Sequence, residues 1–247
     1  MLVSKSYFTA CTLAAALSVA ASPAGAANAS VDINNAHFEL IDLDLNDNVV
    51  PWLQLGYRDD AMGAYFNKDQ EVQERFWHGS VTLGRPYGAA TALVSGTKVQ
   101  SSARIWDGPQ AAGANFSSVG SQWFMFELSP NTQLKLSATV VLQADHALGE
   151  TSRAQANFYG YFSSFDQTTP GEHFEDRVQN LAGTRIAHYV GTLSTGPSSA
   201  HGIIGYSTFT EVQGVAAPVP EPENYAMLLA GLAAIGGYRL RRRRRPA

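Results

Sequence analysis

The chain has 247 residues, with 17 basic and 21 acidic side chains, a formal net charge of -4 and one cysteine. One cysteine excludes a disulfide framework or a cysteine-ligated zinc, so packing has to hold the fold. An excess of acid disfavours nucleic acid and anionic membrane as partners.

At the front, Lys5 precedes the apolar stretch Ala10–Ala21, and small residues follow at Pro23-Ala24-Gly25-Ala26. A basic start, an apolar middle and an Ala-x-Ala end predict a secretory signal peptide over 1–26, cut after Ala26, with Ala29 as second choice. Cys11 lies inside this segment, ahead of the apolar core where a lipidation site should follow it. The exported body is then free of cysteine. Setting aside Lys5, the six tail arginines, Glu221 and Glu223 leaves ten basic and nineteen acidic side chains, a body charge of about −9. That balance suits a neutral polysaccharide or divalent cations. The roughly 190 remaining residues fit one domain over 30–214.

Alternation of period two dominates this body, and no internal repeat is visible. The clearest strand sets Leu134, Leu136, Ala138, Val140 and Leu142 against Lys135, Ser137 and Thr139. Before it, Gln122–Leu128 alternates Trp123, Met125 and Glu127 with Phe124, Phe126 and Leu128, and the turn Ser129-Pro130-Asn131-Thr132 joins the two. After the polar connection 145–153, Ala154, Ala156, Phe158 and Phe162 form a further apolar face. These three runs are expected to pair in succession as a meander.

Further strands are expected at Ala36–Leu45, Val50–Gly56, Ser80–Leu83, Ala89–Gly96, Val99–Trp106, Ile186–Ser194 and Ile203–Val212. Asn67–Trp77 is the most helical segment, and 108–120, 163–176 and 195–201 read as loops. Short strands at this spacing predict an all-β fold, a single antiparallel β-sandwich of jelly-roll or Ig-like type. The four tryptophans, Trp52, Trp77, Trp106 and Trp123, are expected in its core.

Two constellations could carry chemistry. Alternation places Asp42, Asp44 and Asn46 on one face, and such hard oxygen ligands suit Ca²⁺. The EF-hand pattern fails there, because Asp47 stands where glycine is needed and Leu53 where the bidentate Glu belongs; a solvated strand face ending in an Asn/Asp turn is the plainer reading. Tyr159 and Tyr161 share a face opposite Phe158 and Phe162, about 7 Å apart, which suits stacking against sugar rings if they are exposed. Glu172, His173, Glu175 and Asp176 read as a solvated acidic loop without metal spacing. No Gly-x-Ser-x-Gly elbow or P-loop occurs, so no enzyme and no catalytic residue is expected. A carboxylate pair close only in space would leave a secreted hydrolase as an alternative.

The tail is the most specific stretch. Pro220-Glu221-Pro222 leads into 14 uncharged residues, Tyr225–Tyr238, followed by Arg239 and the block Arg241, Arg242, Arg243, Arg244, Arg245. As a helix the apolar run reaches roughly 21 Å, short of the roughly 30 Å hydrocarbon layer. The arginines act as a stop-transfer signal and stay cytoplasmic, placing the body across the membrane. This predicts a linker at 215–224 and a membrane helix with its basic end at 225–247.

Together these three parts resemble the PEP-CTERM sorting signal of bacterial exported proteins. The resemblance implies processing by an exosortase near Pro220–Glu223 and a place in exopolysaccharide or biofilm matrix. Phe38–Asn48 and the turn Leu128–Thr132 also resemble an uncharacterised group of PEP-CTERM proteins. The expectation is an exported, non-enzymatic, exopolysaccharide-associated matrix protein. The alternative is a secreted carbohydrate-binding module.

Overall fold

The computed structural model describes residues 27–106, 111–147, 149–164 and 171–214. They form twelve β-strands: β1 Asn28–Asp42, β2 Leu53–Phe66, β3 Glu71–Phe76, β4 Gly79–Arg85, β5 Gly88–Ser95, β6 Lys98–Ile105, β7 Asn115–Leu128, β8 Thr132–Asp145, β9 Thr151–Ser164, β10 His173–Asn180, β11 Gly183–Ser194 and β12 Ala200–Gln213. Among the described residues no helix is long and apolar enough to cross a membrane. The expected signal peptide with Ala26, the Pro220-Glu221-Pro222 motif and the arginine-ended membrane helix all lie outside the described residues.

The strands make two six-stranded sheets. Sheet I runs β11-β8-β1-β6-β5-β4 and sheet II runs β10-β9-β12-β7-β2-β3. Every neighbouring pair is antiparallel. The fold is all-β, as its alternation predicts. The long strands turn one set of side chains inward: β8 buries Leu134, Leu136, Ala138, Val140 and Leu142 and leaves the residues between them half-buried. Rings from the two sheets meet in the resulting core. Phe158 of β9 stacks on Tyr189 of β11 at 3.8 Å, and Phe38 of β1 meets Phe124 of β7 edge-on at 5.8 Å. Burying a ring of this size is worth about 1.5–3 kcal/mol, so a handful of such contacts dominates the core.

The meander does not form. β7 pairs with β2 and β12, β8 with β1 and β11, and β9 with β10 and β12, so the chain changes sheet at each connection. Alternation fixes which face of a strand is apolar but not which strand lies beside it. Across the core β7 packs on β6 and β5, and β8 packs on β9 and β10. The predicted turn between β7 and β8 exists, but it acts as an arch. Asn131 takes φ 47°, the Ser129 hydroxyl meets that of Thr132 at 2.7 Å, and Thr195 receives the Thr132 backbone N–H at 2.9 Å. These bonds satisfy backbone groups that a ladder would otherwise use.

Asn67–Trp77 is not a helix. Gln70 takes φ 51° and its N–H reaches Asn67 O, closing a hairpin turn that leads into β3. β3 then pairs with β2 from Phe66↔Glu71 to Ala61↔Phe76. As an edge strand it is almost wholly exposed, so it carries no alternation for a sequence reading to find. The expected loops also lose ground: Asn115–Gly120 opens β7, and His173–Asp176 opens β10.

The tryptophans are not in the core. Trp52, Trp77 and Trp106 sit just beyond strand ends and are exposed, while Trp123 is half-buried on the outer face of sheet II. Large rings at strand ends can shield a margin without entering the interior.

Candidate functional site: an aromatic face on sheet II

β9 turns Phe158, Gly160 and Phe162 inward, so Tyr159 and Tyr161, placed on one face by their spacing, point outward. The sheet register shows what stands beside them. Tyr159 lies opposite Gly205 of β12, and Gly205 lies opposite Trp123 of β7. Tyr161 lies opposite Ile203, which lies opposite Met125. Two adjacent rows of the sheet are therefore aromatic or apolar on their outer side.

A bulge adds a further ring. The β2–β7 register shifts between Leu55 and Arg58, and such an irregularity re-aims the side chains within it. Tyr57, inside the bulge, meets Trp123 at 5.8 Å with the rings inclined by 60°. Tyr57 and Tyr161 are each 51% exposed, and Met125 is exposed as well.

Gly205 makes room for this arrangement. A Cβ there would lie 2.7 Å from the Tyr159 hydroxyl, 2.7 Å from Trp123 Cβ and 2.7 Å from Gln122 O. Tyr159 thus leans over the bare backbone of β12 towards Trp123. Burial, then the Tyr161 and Asp59 charges, pushes its phenol up to about 12. At neutral pH the ring is uncharged and keeps its hydroxyl donor.

The neighbouring row supplies hydrogen bonding. Asn157 lies opposite Ser207 and donates to its hydroxyl at 3.2 Å. The Asn157 carbonyl accepts from Gln155 at 2.7 Å and from Arg177 at 3.3 Å. Asp59 and Glu175 close the two ends of the Tyr159 row. The outer face thus presents uncharged rings flanked by amides, hydroxyls and carboxylates. Stacking on a ring face with hydrogen bonds at its margin is a chemistry that takes polyhydroxylated rings.

Trp123, Tyr57 and Gly205 escaped the sequence reading. A signal for Trp123 was present, since it is out of phase with Phe124 and Phe126 of the same strand. Tyr57 had none, because a bulge is set by pairing with the partner strand.

The other candidate residues are placed as follows. β1 ends at Asp42, so Asp42, Asp44 and Asn46 do not share a strand face. Their chain winds into successive Asx turns: Asp42 Oδ1 accepts from Asp44 N at 3.0 Å, and Asp44 Oδ1 accepts from Asn46 N at 3.0 Å. Carboxylates that cap backbone N–H groups in sequence serve the turn. Among the described residues no group of three or more His, Cys, Asp or Glu side chains converges as a metal site requires. Glu172 accepts from Ser194 N at 2.6 Å, and Glu175 and Asp176 belong to β10 rather than to a loop.

One buried polar cluster lies under the aromatic face. Asp60, 3% exposed, accepts from Arg58 Nε and Nη2 and from Gln122 Nε2. Tyr206 donates to Gln122 Oε1 at 2.5 Å. A cavity of about 400 Å³ beside it is lined mainly by apolar groups, among them Phe38, Leu55 and Phe124, and it contains no carboxylate.

No family model matches this chain, and no curated protein matches it. Among solved structures, the N-terminal CBM22-1–CBM22-2 tandem domain of Paenibacillus barcinonensis Xyn10C shares 8% identity over 81% of this chain and 82% of its own, at a TM-score of 0.15. An oxalate decarboxylase shares 7% identity over 80% of this chain and 67% of its own, at a TM-score of 0.11. At these TM-scores neither likeness bears on the fold or the function.

Proposed function

We propose that the protein is an exported, non-enzymatic polysaccharide-binding component of an extracellular matrix, sorted by its PEP-CTERM tail and processed by an exosortase. The observation that carries the binding reading is the outward cluster of Tyr57, Trp123, Tyr159 and Tyr161 on sheet II. Four rings on one sheet face suit stacking against sugar rings. The acidic body and the flanking Asp59 and Glu175 favour a neutral chain over a polyanion. The export half of the reading rests on the signal-peptide and tail sequences alone.

Native-gel retardation in soluble neutral glucan, mannan and xylan tests the binding half. Wild-type protein is retarded by at least one of these. The double substitution Tyr159→Ala and Tyr161→Ala weakens that interaction roughly tenfold to a hundredfold, about 1.4–2.8 kcal/mol. Unchanged retardation of the double variant overturns the assignment to sheet II. Intact mass of the protein from culture medium tests the export half: a body starting near Ala27 and ending near Pro220–Glu223 supports it, and a mass retaining Arg239–Arg245 rejects it.

A further inference from the structure

The outer face of sheet I differs in character from that of sheet II. Its register sets Thr82 opposite Thr91, Thr91 opposite Ser102 and Ser102 opposite Ser30. The next row runs Ser80, Leu93, Gln100, Asp32 and Val141. Short hydroxyl side chains on four adjacent strands leave space above the backbone. A trough of about 530 Å³ occupies that space and is lined by both rows. From β4 to β8 it crosses four interstrand spacings, roughly 19 Å at about 4.8 Å each.

Longer side chains border this floor. Arg104 stands in the row on one side and donates to Asn28 Oδ1 at 3.5 Å. Lys98 stands on the other and reaches Asp32 Oδ2 at 3.6 Å. Within the trough Gln100 Nε2 donates to the same Asp32 oxygen at 2.7 Å. Asp32 Oδ1 is buried without a hydrogen-bond partner among the described residues. A carboxylate oxygen in that position is costly unless a donor reaches it, and a modest turn of the side chain offers it to the trough.

The floor therefore combines hydroxyls, one amide and one acceptor-rich carboxylate with the apolar patches of Leu93 and Val141. Lys98 is already engaged by Asp32, so the trough lacks a free cluster of cations to hold a polyanion. A neutral polyhydroxylated chain meets each of these groups. Its hydroxyls donate to Asp32 and pair with Ser and Thr, and its C–H faces rest on Leu93 and Val141.

We infer that the outer face of sheet I is a second polysaccharide site, so the protein holds two chains at once and cross-links them. This inference rests on the sheet II reading for the other site. The two faces look away from each other across a core about 10 Å thick, so one extended chain does not occupy both. Two sites of modest affinity on opposite faces bind a long polymer network far more firmly than either does alone.

The test uses full-length protein with hexasaccharides and high-molar-mass chains of glucan, mannan and xylan. In calorimetry, wild type takes two hexasaccharides per protein. Thr91→Trp, which fills the trough, takes one, and so does the Tyr159→Ala, Tyr161→Ala variant. Turbidity with the long chain appears only with wild type. Ser80→Arg at the exposed edge of the trough repeats the measurement should Thr91→Trp fail to fold, as judged by its thermal melt. A wild-type stoichiometry of one, lost with the tyrosines and insensitive to both trough variants, overturns the second site and leaves the proposed function standing. A stoichiometry of one that is lost with the trough variants but not with the tyrosines overturns cross-linking and the sheet II assignment together. Absence of binding to every probe overturns both readings.

Discussion

Gly205→Ala is the most direct probe of how the aromatic face is built. The added methyl would sit 2.7 Å from Gln122 O, Trp123 Cβ and Tyr159 Oη, whereas ordinary contact begins at 3.4 Å. The Tyr159 hydroxyl is the free end of a side chain and can swing away. The other two atoms belong to the adjoining stretch of β7 and yield only if β7 and β12 part by about 0.7 Å. Overpacking of this kind costs about 1–3 kcal/mol, and replacing a mid-strand glycine returns about 0.5–1 kcal/mol of backbone entropy. The expected net loss is about 1–2 kcal/mol in urea unfolding followed by tryptophan fluorescence. Gly84→Ala is the matched control, since a Cβ there meets nothing within 4 Å; it should be neutral or slightly stabilising. A second readout follows Tyr159 itself. Once displaced, its phenol titrates below its present value of about 12, towards the ordinary 10, in tyrosinate absorbance. Equal stability of Gly205→Ala and wild type, with an unchanged titration, would falsify the picture of Tyr159 resting over Gly205.

Phe158→Ala removes a fully buried ring stacked on Tyr189 at 3.8 Å and should cost about 3–5 kcal/mol in the same unfolding assay; a loss below about 1 kcal/mol means the two sheets do not pack through this pair. Asp60→Ala strips Arg58 of its bidentate partner. Because the Arg58 side chain is 36% exposed, water recovers part of the loss, and a double-mutant cycle with Arg58→Met should give a coupling of about 1–3 kcal/mol, with zero coupling as the refuting result. In alkali, burial holds the phenols of Tyr159, Tyr189 and Tyr206 protonated above their ordinary range near 10. The unfolded chain then releases protons first, so this contribution is complete below pH 10 and is lost as pH rises towards 12 and beyond. Urea midpoints that stay level from pH 9 to pH 12 contradict that linkage.

Much of the layering was legible along the chain. The alternation of β8 and β9 picked out their apolar faces and set Tyr159 and Tyr161 together on the opposite one, but on β7 it did not keep Trp123 out of the expected core. It failed where a strand had no buried face to mark it: β3 is an edge strand and lies within Asn67–Trp77, the segment expected to be most helical. It failed again beyond Asp42, where β1 ends and Asp44 and Asn46 lie in Asx turns rather than on a shared strand face. The tryptophans misled because ring size argues for burial only where the chain actually enters the core.

The chain alone thus carries the class of fold and the apolar face of strands such as β8 and β9, because period-two alternation is a local property of the backbone. The signal-peptide and PEP-CTERM patterns are likewise short-range and can be read from the chain alone. Which strands become neighbours was decided only by the tertiary structure, since pairing depends on how arches such as Ser129–Thr132 redirect the chain between sheets. That pairing brings Tyr57, Trp123 and Tyr159 together around Gly205, although they come from three separate strands. It also lines up the hydroxyls of Ser30, Thr82, Thr91 and Ser102 on the opposite face. Both surfaces are products of register, and register is set by long-range contacts between strands.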